Sequence, residues 1–470
     1  MREESKWTPR LTAGTAPASE RLVAALSSDI VDGRLPAGAR LPAHRALASA
    51  LGISTATVTK AYAALGRRGL VRGSAGRGMF VAYRGRTAGG VIDLSANIPP
   101  PLLGEDALSA AMTAVGRRID AKGLPDYGPP GGQLDYRRAL SAWLATTGLN
   151  LPPEDLLLCN GAQHALAASL LAASSLAGST GSSGGKPLTI ITEEYTFPGA
   201  LRYAELASHP VRAAVTDSQG MQPASLSRLL TSVESAGAGR PVIYVTPTLH
   251  NPTTATMNGR RRREIAMLAR EHDALIIEDD VYAFGPDRSV PTIASLAPER
   301  VFYVTSASKV VSPAIRVGVL RPPAAFRDRV TGAVRALALH VSPIQCELLA
   351  ELTRSGIAAE VRDAIRHEGT RRTALARTLL GPSLQTSDGG CYHAFLPLTR
   401  PLADAVVLAA GSSGVTLTSP ASMMADQASP RSGIRVCLGG PSWADLSRGL
   451  TILRDVLDQA AHVQPRASAV

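Results

Sequence analysis

The chain has 470 residues, of which 45% are hydrophobic, and this length exceeds that of one ordinary domain, so two or three domains are expected. Its net charge of +11 is unevenly distributed, because residues 1–90 contain 14 Lys or Arg and only 5 Asp or Glu. This asymmetry favours a unit that binds a polyanion, carried on a nearly neutral body, over the plainer alternative of a basic surface without a partner.

The four cysteines are far apart and form no Cys-x-x-Cys pair (Cys159, Cys346, Cys391 and Cys437). This spacing argues against a zinc site or a disulfide framework, so no metal is expected and a reducing cytoplasm is the predicted location. No apolar segment follows the charged N-terminus, which argues against a signal peptide. The most apolar run, residues 165–177, contains three serines and predicts a buried helix, so no membrane association is expected.

Composition divides the chain into three parts. Residues 18–83 form a compact basic unit, residues 84–91 form a short Gly- and Arg-containing linker, and residues 92–460 form a larger body. Up to about residue 322, apolar runs alternate with helical patterns, which predicts an α/β fold with a mainly parallel sheet. Longer helices and a few strands follow, which predicts a smaller α+β lobe over about 323–460.

The basic unit contains three predicted helices, over residues 20–31, 42–51 and 55–65, and Ser54 is a suitable N-cap for the third. The short turn before the third helix has the spacing of a helix-turn-helix, in which the later helix enters the major groove of DNA. Its N-terminal face carries small hydroxyls and one cation, suited to base edges and phosphates. The candidate contacts on these two helices are Arg45, Ser54, Thr55, Thr57, Thr59 and Lys60.

Two short predicted strands follow, around a glycine-rich tip at residues 73–78. They form a wing whose tip residue, Arg77, is a candidate for minor-groove or phosphate contact. Across about 60 residues the unit resembles the GntR-type winged helix-turn-helix, through Gly33-Arg-Leu-Pro-Ala-Gly-Ala-Arg-Leu-Pro42, Arg45-Ala-Leu-Ala48, Thr57-Val-Thr-Lys-Ala-Tyr62 and Gly69-Leu-Val71. The resemblance implies binding to double-stranded DNA, and a basic three-helix module that binds protein is the alternative.

The predicted strands of the body, at residues 156–159, 187–192, 242–246, 274–278 and 301–305, are short and apolar throughout. Ser306-Ala-Ser-Lys309 follows the last of these. A lysine at such a place can form a Schiff base with an aldehyde cofactor if burial and nearby cations keep it neutral. Ser306, Ser308 and Arg316 are suited to hold a phosphate. Taken alone, the motif also fits an exposed surface lysine.

Other polar groups follow the ends of neighbouring predicted strands, where open α/β sheets bind ligands. Asp279 and Tyr282 come after one strand, and Asn251 comes after another, in Thr246-Pro-Thr-Leu-His-Asn-Pro-Thr253. Taken singly, Asp279 also fits a helix cap and Asn251 a turn residue. The backbone N–H groups of Gly161-Ala-Gln163, at the start of an Ala-rich helix, form a seat for a phosphate.

From about residue 92 to residue 456 the chain resembles a fold-type I pyridoxal-phosphate (PLP) aminotransferase, and the pairing with a GntR-type head resembles the MocR family of regulators. The resemblance implies that Lys309 is the Schiff-base lysine and that Asp279 faces the pyridine nitrogen of PLP. It assigns Tyr282 and Asn251 to the ring oxygen. It assigns the phosphate to Ser306, Ser308, Arg316, Gly161, Ala162 and Gln163.

The same resemblance implies further roles. Phe197 takes the place of the aromatic residue that stacks on the PLP ring, and Tyr127 matches the tyrosine that reaches the phosphate of the neighbouring subunit. Arg435 matches the arginine that binds an amino acid's carboxylate. A head-to-tail homodimer is therefore expected.

Three departures from the family pattern are visible. Thr254 stands where the Asn-Pro motif usually continues to glycine, which changes the loop beside the cofactor. Phe197 has no hydroxyl group. The linker, at about ten residues, is short for the family and limits how far the head can move.

Three hypotheses remain. The favoured one is a PLP-dependent transcription factor that senses an amino compound or PLP itself, because a metabolic enzyme has no need for a helix-turn-helix. The second is an active aminotransferase that carries a DNA-binding head, since all residues for half-transamination are present. The third, a scaffold that has lost PLP, is disfavoured by the intact Lys309, Asp279 and Arg316.

Overall fold

The computed structural model describes residues 11, 16–31, 34–35, 38–67, 70–74, 78–81, 90–122, 128–177, 188–282 and 290–463. Arg77, Tyr127 and most of the predicted linker over residues 84–91 lie outside these ranges. None of the helices within them is both long and apolar enough to cross a membrane.

The N-terminal head contains the helices α1 (Ala18–Val31), α2 (His44–Leu51) and α3 (Thr55–Arg67), followed by an antiparallel hairpin of β1 (Val71–Ser74) and β2 (Gly78–Val81). The apolar positions of the helices face one another, so Leu26, Val58 and Leu65 are fully buried. Gly52 ends α2 with a φ of 64°, a left-handed conformation that glycine adopts readily and that turns the chain into α3. The predicted winged helix-turn-helix is confirmed.

The body follows. Its strands are β3 (Ile92–Asp93), β4 (Leu157–Cys159), β5 (Thr189–Glu193), β6 (Val211–Ala214), β7 (Thr216–Asp217), β8 (Gly220–Met221), β9 (Pro241–Val245), β10 (Leu275–Asp279), β11 (Val301–Ser306), β12 (Gly318–Arg321), β13 (His393–Thr399), β14 (Val415–Thr416) and β15 (Arg431–Cys437). Its helices are α4 (Glu105–Lys122), α5 (Leu134–Ala145), α6 (Ala162–Ala177), α7 (Pro198–Leu206), α8 (Pro223–Ser235), α9 (Gly259–Glu271), α10 (Ile293–Leu296), α11 (Arg327–Ala338), α12 (Pro343–Arg354), α13 (Ile357–Leu380), α14 (Arg400–Ser412) and α15 (Trp443–Val463).

Seven of the described strands form the central sheet, in the order β4-β12-β11-β10-β9-β5-β6. The strands β11, β10, β9, β5 and β6 are mutually parallel, whereas β12 is antiparallel to both of its neighbours. Every residue of β9, β10 and β11 is buried, as the unalternating apolar runs predict for strands covered on both faces. The mainly parallel α/β fold is thus confirmed, and the carboxyl ends of β9, β10 and β11 meet at one edge.

The second lobe is built on the antiparallel pair β13 and β15, with α13, α14 and α15 packed around it. The first strand of the body, β3, pairs with β14 of this lobe, so Ile92 lies in the same apolar cluster as Val415. The helix α11 follows residue 322 and is therefore expected in the second lobe, but it packs on α6 beside the central sheet. The domain and lobe bounds stay predictions, but packing does not follow a simple cut near residue 322.

Candidate functional site

The site is built at the carboxyl edge of the central sheet. Asp279 is the last residue of β10, and it lies opposite Val304 of the parallel strand β11. Lys309 ends a short 3-10 turn, Ala307–Lys309, that directly follows β11. Asn251 lies in the loop after β9, in a cis peptide bond with Pro252. The sequence placed these three residues at neighbouring strand ends, and the fold brings them to one place.

Lys309 is partly buried, and its Nζ donates a hydrogen bond to the backbone oxygen of Asn97. Burial disfavours the ammonium form and lowers the pKa of Lys309 to about 8, and the guanidinium of Arg435 acts in the same direction. Near neutral pH the amine therefore has a larger uncharged fraction than an ordinary lysine, and the uncharged form is the nucleophile.

Asp279 is buried, and its Oδ2 accepts a hydrogen bond of 2.6 Å from the hydroxyl of Tyr244. Burial raises the pKa of Asp279 to about 6, although the hydrogen bond from Tyr244 favours the charged form. Its Oδ1 is buried and has no hydrogen-bond partner among the described residues. A buried acceptor left open in this way suits a ligand that brings a protonated nitrogen.

Tyr282 is buried beside Asp279, and its hydroxyl accepts a hydrogen bond of 2.9 Å from Nδ2 of Asn97. The same Nδ2 lies 3.3 Å from Nδ1 of His393. Nε2 of His393 in turn lies 3.1 Å from the backbone oxygen of His250. Asn97 and His393 are thus part of the site, although no sequence motif pointed to either.

The candidate phosphate site lies between two loops. Arg316 donates a hydrogen bond of 3.0 Å to the Oγ of Ser308. Gly161 has a φ of 81°, and a Cβ at this position would lie 2.5 Å from Nη2 of Arg316. A Cβ at Gly318 would lie 2.6 Å from the carbonyl carbon of Gly161. The two glycines let the guanidinium and the backbone at the start of α6 come together, which suits an anion at that helix end.

The remaining predicted phosphate residues surround this point. Ser306 is buried at the end of β11, and Ala162 opens α6. Gln163 is exposed, and its Nε2 donates to the backbone oxygen of Gly199 at 3.2 Å. Phe197 is half-buried and immediately precedes α7. Gln163 and Phe197 both lie against Gly199, where an added Cβ would overlap with Oε1 of Gln163 and Cε1 of Phe197.

Arg435 lies on β15 of the second lobe and is buried. Its Nη1 donates to Oδ1 of Asn251 at 2.9 Å. Its Nη2 donates to the backbone oxygen of Ser95 and to Oγ1 of Thr418, each at 2.9 Å. These bonds all go to neutral oxygens, and Nε of Arg435 has no hydrogen-bond partner among the described residues. A buried guanidinium whose partners are neutral can donate hydrogen bonds to the carboxylate of a ligand.

In the head, Ser54 caps α3, because its Oγ accepts a hydrogen bond of 3.1 Å from the backbone N–H of Thr57. Its hydroxyl also lies 2.8 Å from that of Thr57, which is half-buried. The other candidate DNA contacts that the structure describes are exposed on α2 and α3 (Arg45, Thr55, Thr59 and Lys60). Arg40, which the sequence did not single out, lies against the wing, 3.3 Å from the Cβ position of Gly78.

Two family models match the chain. The model of "Aminotransferase class I and II" matches residues 89–442, and that of "Bacterial regulatory proteins, gntR family" matches residues 18–81.

Among curated proteins, the chain is 26% identical over 464 residues to the uncharacterized HTH-type transcriptional regulator YdeF of Bacillus subtilis. The alignment covers 96% of this chain and 97% of that protein. It is 27% identical over 412 residues to the HTH-type pyridoxine biosynthesis transcriptional regulator PdxR of Corynebacterium glutamicum, covering 83% and 85%.

Solved structures share the fold of the body. The α-aminoadipate aminotransferase LysN of Thermus thermophilus aligns with a TM-score of 0.68 at 21% identity, over 80% of this chain and 94% of that one. An archaeal alanine:glyoxylate aminotransferase aligns with a TM-score of 0.66 at 21% identity, over 78% and 91%. These structures show the fold of the body, and the two family models show that the chain belongs to the aminotransferase class I and II family and carries a gntR-family regulator domain at its N-terminus, as MocR-type regulators do.

Proposed function

We propose that this protein is a DNA-binding transcription factor that holds PLP on Lys309 and responds to an amino compound. The observation that carries the proposal is the open buried oxygen of Asp279 beside Lys309, in a chain that also has a gntR-family head. Such a site keeps the residues that PLP chemistry requires. The DNA-binding head would let the state of the site regulate transcription.

The residues present fit PLP. Its pyridine nitrogen, when protonated, would pair with the unpartnered Oδ1 of Asp279, and its phosphate would be held by the guanidinium of Arg316 and the backbone N–H groups at the start of α6. When bound, PLP supplies an aldehyde that condenses with an amine, with loss of water, and a ring that withdraws electrons. Lys309 would provide the amine, Tyr244 holds the carboxylate of Asp279, and Tyr282 would donate its hydroxyl to the ring oxygen.

The remaining assignments are part of the same proposal. Asn251 shares the ring oxygen with Tyr282, Phe197 stacks on the ring, and Tyr127 completes the phosphate site of a neighbouring subunit. Homodimerisation is supported by exposed apolar side chains around the α11–α12 connection, where Leu337, Leu339 and Ile344 are 46%, 56% and 43% exposed.

The effector is proposed to be an amino compound that carries a carboxylate. Its amine would meet the cofactor at Lys309 and its carboxylate would pair with Arg435. Because Arg435 belongs to the second lobe and bonds Asn251 of the first, such a ligand contacts both lobes. A ligand that bridges two lobes stabilises one relative arrangement of them, and this is the means by which it would alter DNA binding by the head.

The head is proposed to bind double-stranded DNA through α3. Arg45 and Lys60 are exposed and would contact phosphates. Thr55 and Thr59 are also exposed, and their hydroxyls would contact base edges. Arg77 at the tip of the wing is assigned to the minor groove or to a phosphate. Binding to chromosomal DNA would place the protein in the cytoplasm of a bacterial cell.

Transamination is the second candidate function. The lowered pKa of Lys309, to about 8, favours it, because an uncharged amine can also remove a proton from a bound amino acid. The two functions share one site and differ in whether bound ligand is converted. A regulator needs only the bound state.

The deciding experiment is a gel shift on the DNA directly upstream of the coding sequence, with protein purified in PLP. We expect specific retardation that changes with PLP or an added amino acid and that is weakened by Lys60→Ala, while PLP loading is unchanged. Lys309→Ala is the matched variant for the body and should keep DNA binding but lose the response. No specific retardation together with rapid turnover of a common amino acid would instead establish the enzyme.

A further inference from the structure

Asn97 occupies a point in the site that no motif assigned. It precedes α4 in the chain, and it is 8% exposed. Its backbone oxygen accepts from Nζ of Lys309, and the backbone oxygen of Ser95, two residues earlier, accepts from Nη2 of Arg435 at 2.9 Å. The segment 95–97 therefore contacts both the reactive amine and the candidate carboxylate site.

The hydrogen bonds of His393 determine which way the amide of Asn97 faces. Nε2 of His393 lies 3.1 Å from the backbone oxygen of His250, which can only accept, so the proton of the neutral ring is on Nε2. Burial lowers the pKa of His393 to about 3, so the ring is neutral. Nδ1 is then an acceptor, and it lies 3.0 Å from Sγ of Cys391 and 3.3 Å from the amide of Asn97. The Asn97 atom that faces it is the nitrogen, because an oxygen there would place two acceptors against each other.

In this orientation the amide oxygen of Asn97, Oδ1, is left without a hydrogen bond to the described residues. Nδ2 of Asn97 has its two protons directed to Nδ1 of His393 and to the hydroxyl of Tyr282. Oδ1 is buried and has no hydrogen-bond partner among the described residues. An acceptor that is removed from water and unpaired destabilises the protein, so its persistence beside Lys309 points to a ligand that brings a donor.

We propose that Asn97 is a specificity residue of the effector site, which selects amino acids whose side chain carries a hydrogen-bond donor over those with an apolar side chain of the same shape. The proposal rests on the proposed function, since it uses the same site. Asn97 binds the ligand through Oδ1, and His393 is a positioning residue that holds the amide in its orientation.

The test uses two pairs of probes that differ at one position: L-threonine has a hydroxyl where L-valine has a methyl group, and L-serine has a hydroxyl where L-alanine has a hydrogen. Each is titrated into the full-length, PLP-loaded protein, and Kd is read from the change in cofactor absorbance. The wild type should bind the hydroxyl member about 10- to 100-fold more tightly, as for a site with one otherwise unpaired acceptor. Asn97→Leu, which is close in shape, should abolish the preference.

Asn97→Gln is the conservative variant and should retain more of the preference than Asn97→Leu, because it keeps an amide with both a donating nitrogen and an accepting oxygen. His393→Phe removes the acceptor that holds Nδ2 of Asn97, so it should reduce the preference for the hydroxyl member of each pair. A wild type that prefers neither member, or an Asn97→Leu variant that keeps the preference, overturns the proposal. Failure of the proposed function is distinct, since it shows as absent cofactor absorbance or absent DNA retardation in the wild type before any probe is added.

Discussion

Replacing Gly318 with alanine tests where the phosphate of the cofactor lies. The new Cβ would lie 2.6 Å from the carbonyl carbon of Gly161, 2.9 Å from its oxygen and 3.0 Å from the nitrogen of Ala162. All three are backbone atoms that cannot rotate away, so the turn before α6 must retreat by about 0.8 Å to reach ordinary contact distance. That turn supplies the backbone N–H groups expected to face the phosphate.

The expected effect has two parts. Overpacking should lower the free energy of unfolding by roughly 1–3 kcal/mol. Loss of one hydrogen bond to a charged phosphate costs about 1.5–3 kcal/mol, which corresponds to a Kd for PLP that rises roughly 10- to 150-fold. Equilibrium dialysis with PLP gives the second quantity, and thermal unfolding of the PLP-free protein gives the first.

Gly332→Ala is the matched control for Gly318→Ala. Gly332 lies within α11, is exposed, and a Cβ there meets no atom within 4 Å. Alanine should stabilise this helix by about 1 kcal/mol and leave the Kd for PLP unchanged. A Gly318→Ala variant that binds PLP within twofold of the wild type would refute the assignment of the phosphate to this turn.

Three further outcomes follow from the site and the head. The rate of PLP capture should rise with pH up to about 8 and then level off, because the uncharged amine of Lys309 is the reactive form; a rate that keeps rising toward the ordinary pKa of lysine would contradict its burial. Asp279→Asn should weaken PLP binding at neutral pH by roughly 10-fold or more, since a neutral amide cannot pair with a protonated ring nitrogen. In the wild type, whose Asp279 has its pKa raised to about 6 by burial, PLP affinity should fall as pH drops below that value, and dialysis over a pH series with both proteins checks the two statements together. Arg45→Ala or Lys60→Ala should weaken DNA binding and reduce its salt dependence without changing PLP loading, and full affinity in gel shifts at several salt concentrations would remove these side chains from the interface.

Much of the site could be predicted because its residues follow strand ends in short local motifs. Lys309 and Asp279 come directly after apolar runs, and parallel strands bring such positions together. Ser54 was recognisable as a cap from its place before a helical pattern, and the structure gives it that bond. These inferences need only neighbouring residues and a general property of parallel sheets.

The partners of those residues could not be predicted. Tyr244 meets Asp279 across 35 residues of sequence, and Asn97 meets Tyr282 and His393 across 185 and 296 residues. Tyrosine in a buried strand and asparagine in a loop are ordinary in sequence. Only the tertiary fold makes them parts of a polar network.

Thr254 was predicted only in part from the sequence. Its departure from glycine was visible in the sequence, and the structure shows that the backbone keeps a φ of 63°. A β-branched residue rarely adopts this conformation, so the loop after Asn251 holds local strain beside the candidate site.

The pairing of β3 with β14 determines where the tether of the DNA-binding head is fixed. The chain leaves the head and enters the body at Ile92, which is held by Val415 of the second lobe and not by the central sheet. A displacement of that lobe would therefore carry the tether with it, whereas the large sheet could remain still. It also follows that a body expressed without its head must begin before Ile92, because a later start would remove one edge of the small lobe and uncover Val415 and Leu417.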